Sequence, residues 1–174
     1  MRPRAVPWRW GAFLPLAWIL SSPVGETPTD DVCAATAGGP VPAVAEIESE
    51  SLRRLREERA ERGVTPDLED DARLALLARR YSEAMRDGGF FSHTSPEGLD
   101  PAARLSAAGY LSLAVGENIA RVDNVRDPAR CAHRVLMESA GHRENILSPE
   151  FTRIGVGAAT EGRSVWITQL FATR

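Results

Sequence analysis

Two stretches of the chain carry apolar stripes, the second of them at three- and four-residue steps. From about residue 43 to 62, Ile47, Leu52 and Leu55 draw a thin apolar stripe along a charged, helix-favouring segment that Gly63 stops. The charges through Arg53–Arg62 read as its solvated face. In the second stretch Leu74, Leu77, Ala78, Tyr81 and Met85 share one face, which makes them core. Glu69, Asp70 and Asp71 crowd the start of this helix and Arg86 its last turn, as the helix dipole favours, and Gly88-Gly89 end it. Two shorter helices open on an aspartate cap followed by proline. One runs from Asp100-Pro101 and is closed by Gly109. The other runs from Asp127-Pro128 to about Ser139, with Ala132, Val135, Leu136 and Ser139 inward and His133 beside them as a partly exposed residue.

The pattern then changes period. Gly141 ends the helical region, His142 follows at once, and a Ser-Pro turn leads into Arg153–Ala158, where Ile154 and Val156 alternate with glycines. Gly155 and Gly157 inside a strand imply that another backbone or side chain packs closely there. Glu161-Gly162-Arg163 reads as a hairpin turn into Ser164–Ala172. There Val165, Ile167, Gln169 and Phe171 oppose Trp166, Thr168 and Leu170, so both faces are apolar. Residues 117–122 begin a further strand after a connector over 110–116. A strand buried on both faces needs helices above and below it. The predicted class is therefore α/β, a three-layer α-β-α sandwich around a small antiparallel sheet.

Composition changes this picture at the N-terminus. Arg2, Arg4 and Arg9 precede the short apolar run 11–20, and small or turn-forming residues follow, which is the layout of a secretory leader over residues 1–25. The run is too short for a comfortable membrane span. Residues 26–42 are rich in Pro, Gly, Thr and Asp and read as an extended linker, leaving 43–174 as the domain. The chain of 174 residues carries a net charge of −3, and loss of the leader removes three arginines and no acid. An acidic chain without a basic run argues against nucleic acid as a partner. An even count of two cysteines in an exported chain makes a Cys33–Cys131 disulfide the default expectation, and neither cysteine has a partner at metal-ligand spacing.

Three segments carry the candidate chemistry. FFSHTSPEG confines His93 between a helix end and a tight turn, although a lone histidine beside two phenylalanines is in general more often core than ligand. VGENIA puts Glu117 at the head of an apolar segment, and GHRENILSPEFTRIGVG carries His142. Together with VWITQLF, and in this order, these segments resemble the CAP superfamily of cysteine-rich secretory proteins, antigen 5 and plant pathogenesis-related proteins, in its compact bacterial form. The resemblance covers about residue 47 to the end and implies the same three-layer sandwich. It also implies a cleft in which His93, Glu117 and His142 match three of the family's two histidines and two glutamates. The position of the second glutamate, three residues beyond a helix tryptophan replaced here by Leu136, falls on Ser139. Glu138 is adjacent but turned about 100° away on a helix.

The resemblance implies three functions for such a cleft. The leading one is a secreted or periplasmic, monomeric binding module for a lipid, peptide or cell-envelope ligand. The second is a metal-dependent hydrolase, in which His93, His142 and Glu117 hold Zn²⁺ or another divalent ion and Glu117 serves as base. The third is an envelope structural module held by its N-terminal extension. The alternative to metal binding in the cleft is that Glu117 simply hydrogen-bonds the histidines and knits the three segments together. Ser139 as a nucleophile is disfavoured, since no acid is evident to orient His142.

Overall fold

The computed structural model describes residues 31–35 and 38–173, so the predicted leader lies outside the described residues. Helix α1 spans Val44–Glu61, strand β1 Glu69–Asp70, α2 Ala72–Gly88, α3 Pro101–Ala107, β2 Ala114–Asp123, α4 Pro128–Glu138, α5 Ala140–Leu147, β3 Arg153–Glu161 and β4 Ser164–Thr173. The strands lie in the order β1-β3-β4-β2. Strand β4 pairs antiparallel with both neighbours. No helix among the described residues is long and apolar enough to cross a membrane.

The sandwich follows from the two-sided apolar character of β4, which is buried from Val165 to Ala172. Val165, Ile167 and Phe171 point to one face, where Ile47 and Leu55 of α1 and Leu136 of α4 close the core with Ala120 and Val122. On the opposite face Leu74 and Ala78 of α2 and Leu105 of α3 cover Leu170 and Ala172, while Tyr81 and Met85 cover Trp166 and Ile119. Helix α2 comes down onto β3 because there is no side chain in its way. A Cβ at Gly157 would sit 1.9 Å from the Arg79 amide nitrogen, and one at Gly155 would sit 2.2 Å from that of Ala75. Both neighbours are backbone and cannot swing aside. Gly157→Ala is expected to cost about 2–3 kcal/mol of unfolding free energy by urea denaturation. A loss under about 0.5 kcal/mol, the range of an ordinary surface substitution, would show that α2 can ride up without penalty.

Several local expectations need correction. Glu69 and Asp70 form a short strand instead of opening α2, because the Asp71 side chain accepts from the amides of Arg73 and Leu74 and fixes the helix start at Ala72. That strand runs parallel to β3, so the sheet is antiparallel only in its three long strands. Strand β2 starts at Ala114, earlier than residue 117, since Ala114–Gly116 already pair with the end of β4. Val135 is 46% exposed, and the inner face of α4 is formed by Ala129, Ala132 and Leu136. His133 is partly exposed as expected, but it is also engaged: its side chain is 12% exposed, and Nε2 lies 3.3 Å from Glu58 Oε2 on α1. Gly141 does not end a helix. The break falls at extended Ser139, and Gly141 lies within the first turn of α5.

Cys33 and Cys131 form the expected disulfide. The segment preceding α1 is held at further points. Asp31 pairs with Arg134 at 2.8 Å, Ala35 bridges to Val125, and the Gly39 carbonyl accepts from Arg163 at 2.6 Å.

Candidate functional site

The sheet order leaves β2 as an outer strand, and the site straddles it. Successive residues of a strand point to opposite faces. Glu117 therefore turns towards the α2–α3 layer and Asn118 towards the α4–α5 layer, as their partners show. Gly116, just before them, leaves room for a close approach: a Cβ there would meet the Phe151 ring at 2.6 Å and Asn145 Oδ1 at 3.1 Å.

His93 reaches Glu117 from the loop between α2 and α3. The predicted turn is present, with the Gly98 amide donating to the Ser95 carbonyl at 2.8 Å and Gly98 at φ 81°. Glu117 is fully enclosed, its side chain 1% exposed, and both carboxylate oxygens are engaged. Oε1 lies 2.9 Å from His93 Nδ1, and Oε2 accepts from the Arg104 guanidinium. An ionised carboxylate only accepts, so Nδ1 carries a proton, and in the neutral imidazole Nε2 is then the acceptor. The imidazole itself is 47% exposed.

Arg104 is the organising residue on this side. Its Nη1 donates to the carbonyls of His93 at 2.6 Å and Leu99 at 3.1 Å. Its guanidinium stacks 3.4 Å above the centroid of the Tyr81 ring, and the Tyr81 hydroxyl donates to the Ser92 carbonyl at 2.7 Å. One cation thus fixes the His93 loop and neutralises the buried carboxylate at once.

His142 arrives from the other layer, in the first turn of α5. Its carbonyl accepts from Asn118 Nδ2 at 3.1 Å, and Asn118 Oδ1 accepts from Asn145 Nδ2 at 2.9 Å. Asn145 also donates to the Glu117 carbonyl at 3.2 Å, which links α5 to β2 at the glutamate. The two imidazole centroids are 5.8 Å apart. Burial, and to a smaller extent the charge His93 can carry, hold the His142 pKa below its ordinary value.

That shift has a definite sign for stability. The unfolded chain takes up a proton at His142 near pH 6.5 while the folded chain still resists it. The folded state therefore loses stability as pH falls below about 6.5. Thermal unfolding between pH 7.5 and 5.5 should show a falling midpoint, with a shallower fall in His142→Asn. Identical slopes would remove His142 as the source. The carboxylates held low act at more acidic pH: Glu50 through its hydrogen bond from Arg53, and Glu58, where burial is outweighed by hydrogen bonds from Arg62 and His133.

The structure thus brings together His93, Glu117 and His142. Glu138 is 70% exposed and lies 3.9 Å from Arg134, while Ser139 forms the break between α4 and α5, so neither brings a second carboxylate. The reading of the sequence missed Arg104, Asn118 and Asn145 and saw only packing in Tyr81. Arg104 had one signal, as the sole charged residue in the seven-residue α3 that follows the His93 turn.

The fit of a divalent metal depends on this donor set. A catalytic zinc site uses three protein ligands. Here two imidazoles are available, and the one carboxylate is already shared by Arg104 and His93. Among the described residues no group of three or more His, Cys, Asp or Glu is arranged to hold a metal ion. The residues as placed do not fit a three-ligand zinc centre.

A three-layer sandwich with one histidine on a glutamate of an outer strand and a second histidine 5.8 Å from the first defines a class, and the comparisons name it. Residues 52–171 match the CAP family, the cysteine-rich secretory protein family, and the chain belongs to it. It is 35% identical over 127 residues to the uncharacterized protein YkwD of Bacillus subtilis, an alignment covering 73% of this chain and 48% of that protein. Among solved structures it is similar to an extracellular SCP-domain protein of Bacillus anthracis, with 28% identity and a TM-score of 0.64, covering 79% of this chain and 45% of that one. An outer surface protein of Borrelia burgdorferi shares the fold at 19% identity and a TM-score of 0.68, over 79% of this chain and 99% of its own. The chain spans about half the length of YkwD and of the Bacillus anthracis protein.

Proposed function

We propose that this chain is an exported, non-enzymatic binding domain whose cleft docks an extracellular peptide. The observation that carries this reading is the state of Glu117. A general base needs a carboxylate free to take a proton, and this one is enclosed and saturated by Arg104 and His93. The cleft instead offers His93 Nε2 as an acceptor and His142 as a neutral imidazole. Exposed Phe91 and Leu99, 48% and 38% accessible, lie on the same loop as His93 and add apolar contact area.

The shape of the surroundings favours a ligand lying across the surface. The cavity beside Tyr81 and Arg104 holds about 150 Å³. Pockets that engulf a small ligand run from about 300 Å³ upward. A larger cavity of about 410 Å³ between α1 and the start of α4 is lined by Ile47, Pro128 and Ala129 beside Glu46, Glu50 and Asp127, and none of His93, Glu117 and His142 lines it. Export is supported by the leader-like sequence, by the disulfide, which needs an oxidising compartment, and by the extracellular and outer-surface relatives.

Selection of a displayed peptide library on the immobilised chain tests this reading. Retained peptides should bind His93→Ala/His142→Ala at least about tenfold more weakly, the scale of one lost anchoring contact. Failure to retain any peptide, or retention of lipid alone from an envelope extract, would overturn it. Cleavage of the selected peptides that Glu117→Gln abolishes would replace it with the hydrolase.

A further inference from the structure

We infer that Arg104 is a built-in counter-cation that makes this cleft select against divalent metal ions. The inference rests on reading the cleft as a metal-independent docking site, and it assigns the cause of that independence to one residue. Arg104 is not a loosely held surface charge. Its guanidinium is fixed by the Glu117 carboxylate, by the carbonyls of His93 and Leu99, and by the face of Tyr81. Its side chain is 15% exposed and that of Glu117 1%, so water screens their pairing little.

The consequence for a metal ion is electrostatic. A divalent ion drawn to His93 and His142 would find two neutral nitrogen donors and a carboxylate whose charge is already cancelled. Recruiting Glu117 as a third ligand would strip a charge-assisted hydrogen bond from Arg104 and leave a dication facing a guanidinium in a poorly solvated site. The same carboxylate holds the Nδ1 proton of His93, the arrangement that elsewhere prepares a histidine for a metal. Here Arg104 occupies its second oxygen. Arg104 is thus a positioning residue for His93 and a specificity determinant against cations.

The test separates charge from structure. Zinc chloride is titrated by calorimetry into the purified wild-type chain, Arg104→Lys, Arg104→Met and Arg104→Met/Glu117→Gln, with circular dichroism recording the fold of each. Wild type and Arg104→Lys should both bind weakly, because each keeps a cation against Glu117. Arg104→Met should bind roughly 10–100-fold tighter, the range by which groups behind a ligand tune metal affinity. The Glu117→Gln change should erase that gain. Zinc should also raise the melting temperature of Arg104→Met and leave that of wild type unchanged, since an ion bound only by the folded state stabilises it. If Arg104→Met folds only when zinc is added, that coupling is itself the expected gain. Should it fail to fold even then, Arg104→Gln takes its place under the same criteria. A folded neutral variant with no gain overturns the inference. Tight one-to-one zinc binding by wild type that His93→Ala/His142→Ala abolishes also overturns it. Either failure leaves the docking reading to be judged by the peptide selection, run in the presence of a chelator.

Discussion

Glu117→Gln should lower the unfolding free energy by about 3 kcal/mol, the lower end of the cost of removing one partner from a buried ion pair. The lower end applies because Arg104 keeps 15% of its side chain exposed and recovers some hydration. The substitution preserves shape and removes only charge. What it leaves behind is a guanidinium pinned by Tyr81 and two carbonyls, now facing an amide. The amide oxygen can still accept from one neighbour, but it cannot serve His93 Nδ1 and Arg104 as a charged acceptor does. Urea denaturation measures the loss. The cycle with Arg104→Met identifies its cause, since the double variant should lose less than the two single variants together. A single-variant loss under about 1 kcal/mol, typical of an exposed pair, would mean that Glu117 is held by packing and not by charge. The same variant bears on function. A stability loss with no activity to lose is what a docking site predicts, and a stable protein that has stopped turning over substrate is what a hydrolase predicts.

The legibility of this chain divides along a physical line. Periodicity exposed the elements that bury apolar area: α2 through Leu74, Ala78, Tyr81 and Met85, and β4 through its alternating faces. It placed helices on both sides of the sheet because β4 has no polar face to show to water. The paired glycines of β3 announced a close approach by a backbone or a side chain, and the structure shows it to be α2 backbone. What stayed hidden depends on partners distant in sequence. Strand β1 is two residues long and exists because the Glu69 amide finds the Thr152 carbonyl at 3.0 Å. No local pattern encodes that pairing. Helix α5 has little apolar asymmetry, with Ile146 its only buried residue, so the GHREN segment read as a loop carrying a histidine. At the site, His93, Glu117 and His142 were legible from motif resemblance. Arg104 was not, because its role comes from a stack and three acceptors assembled by the fold. The same long-range logic hid Arg59, which α1 sends inward, 2% exposed, to hold the carbonyls of Pro66, Ile146 and Ser148.

Removal of the Cys33–Cys131 disulfide should be the largest single loss, about 4–5 kcal/mol in Cys33→Ser/Cys131→Ser. The bridge spans 98 residues and encloses every element from α1 into α4. In the chain-entropy account, closing a loop of roughly 100 residues removes about 4.7 kcal/mol of conformational freedom from the unfolded state. Against a total of about 5–15 kcal/mol for an ordinary domain, that is a third of the stability or more. The folded state also contributes. Cys131 is 3% exposed within the α4 core, so two serines would leave one hydroxyl in an apolar setting. Urea denaturation of the oxidised wild type, the reduced wild type and the serine variant separates these contributions. Reduction alone reports the loss of loop closure together with two thiols that suit the core. Any further drop in the variant reports the buried hydroxyl. The contacts of Asp31 with Arg134, Ala35 with Val125 and Gly39 with Arg163 predict how the loss appears. They lie at the surface and are too weak to hold the segment by themselves. Residues 31–35 and 38–42 should therefore lose amide protection on reduction before the sheet does. If the reduced protein keeps both its protection there and its urea midpoint, the segment is held by packing alone and loop closure stabilises nothing.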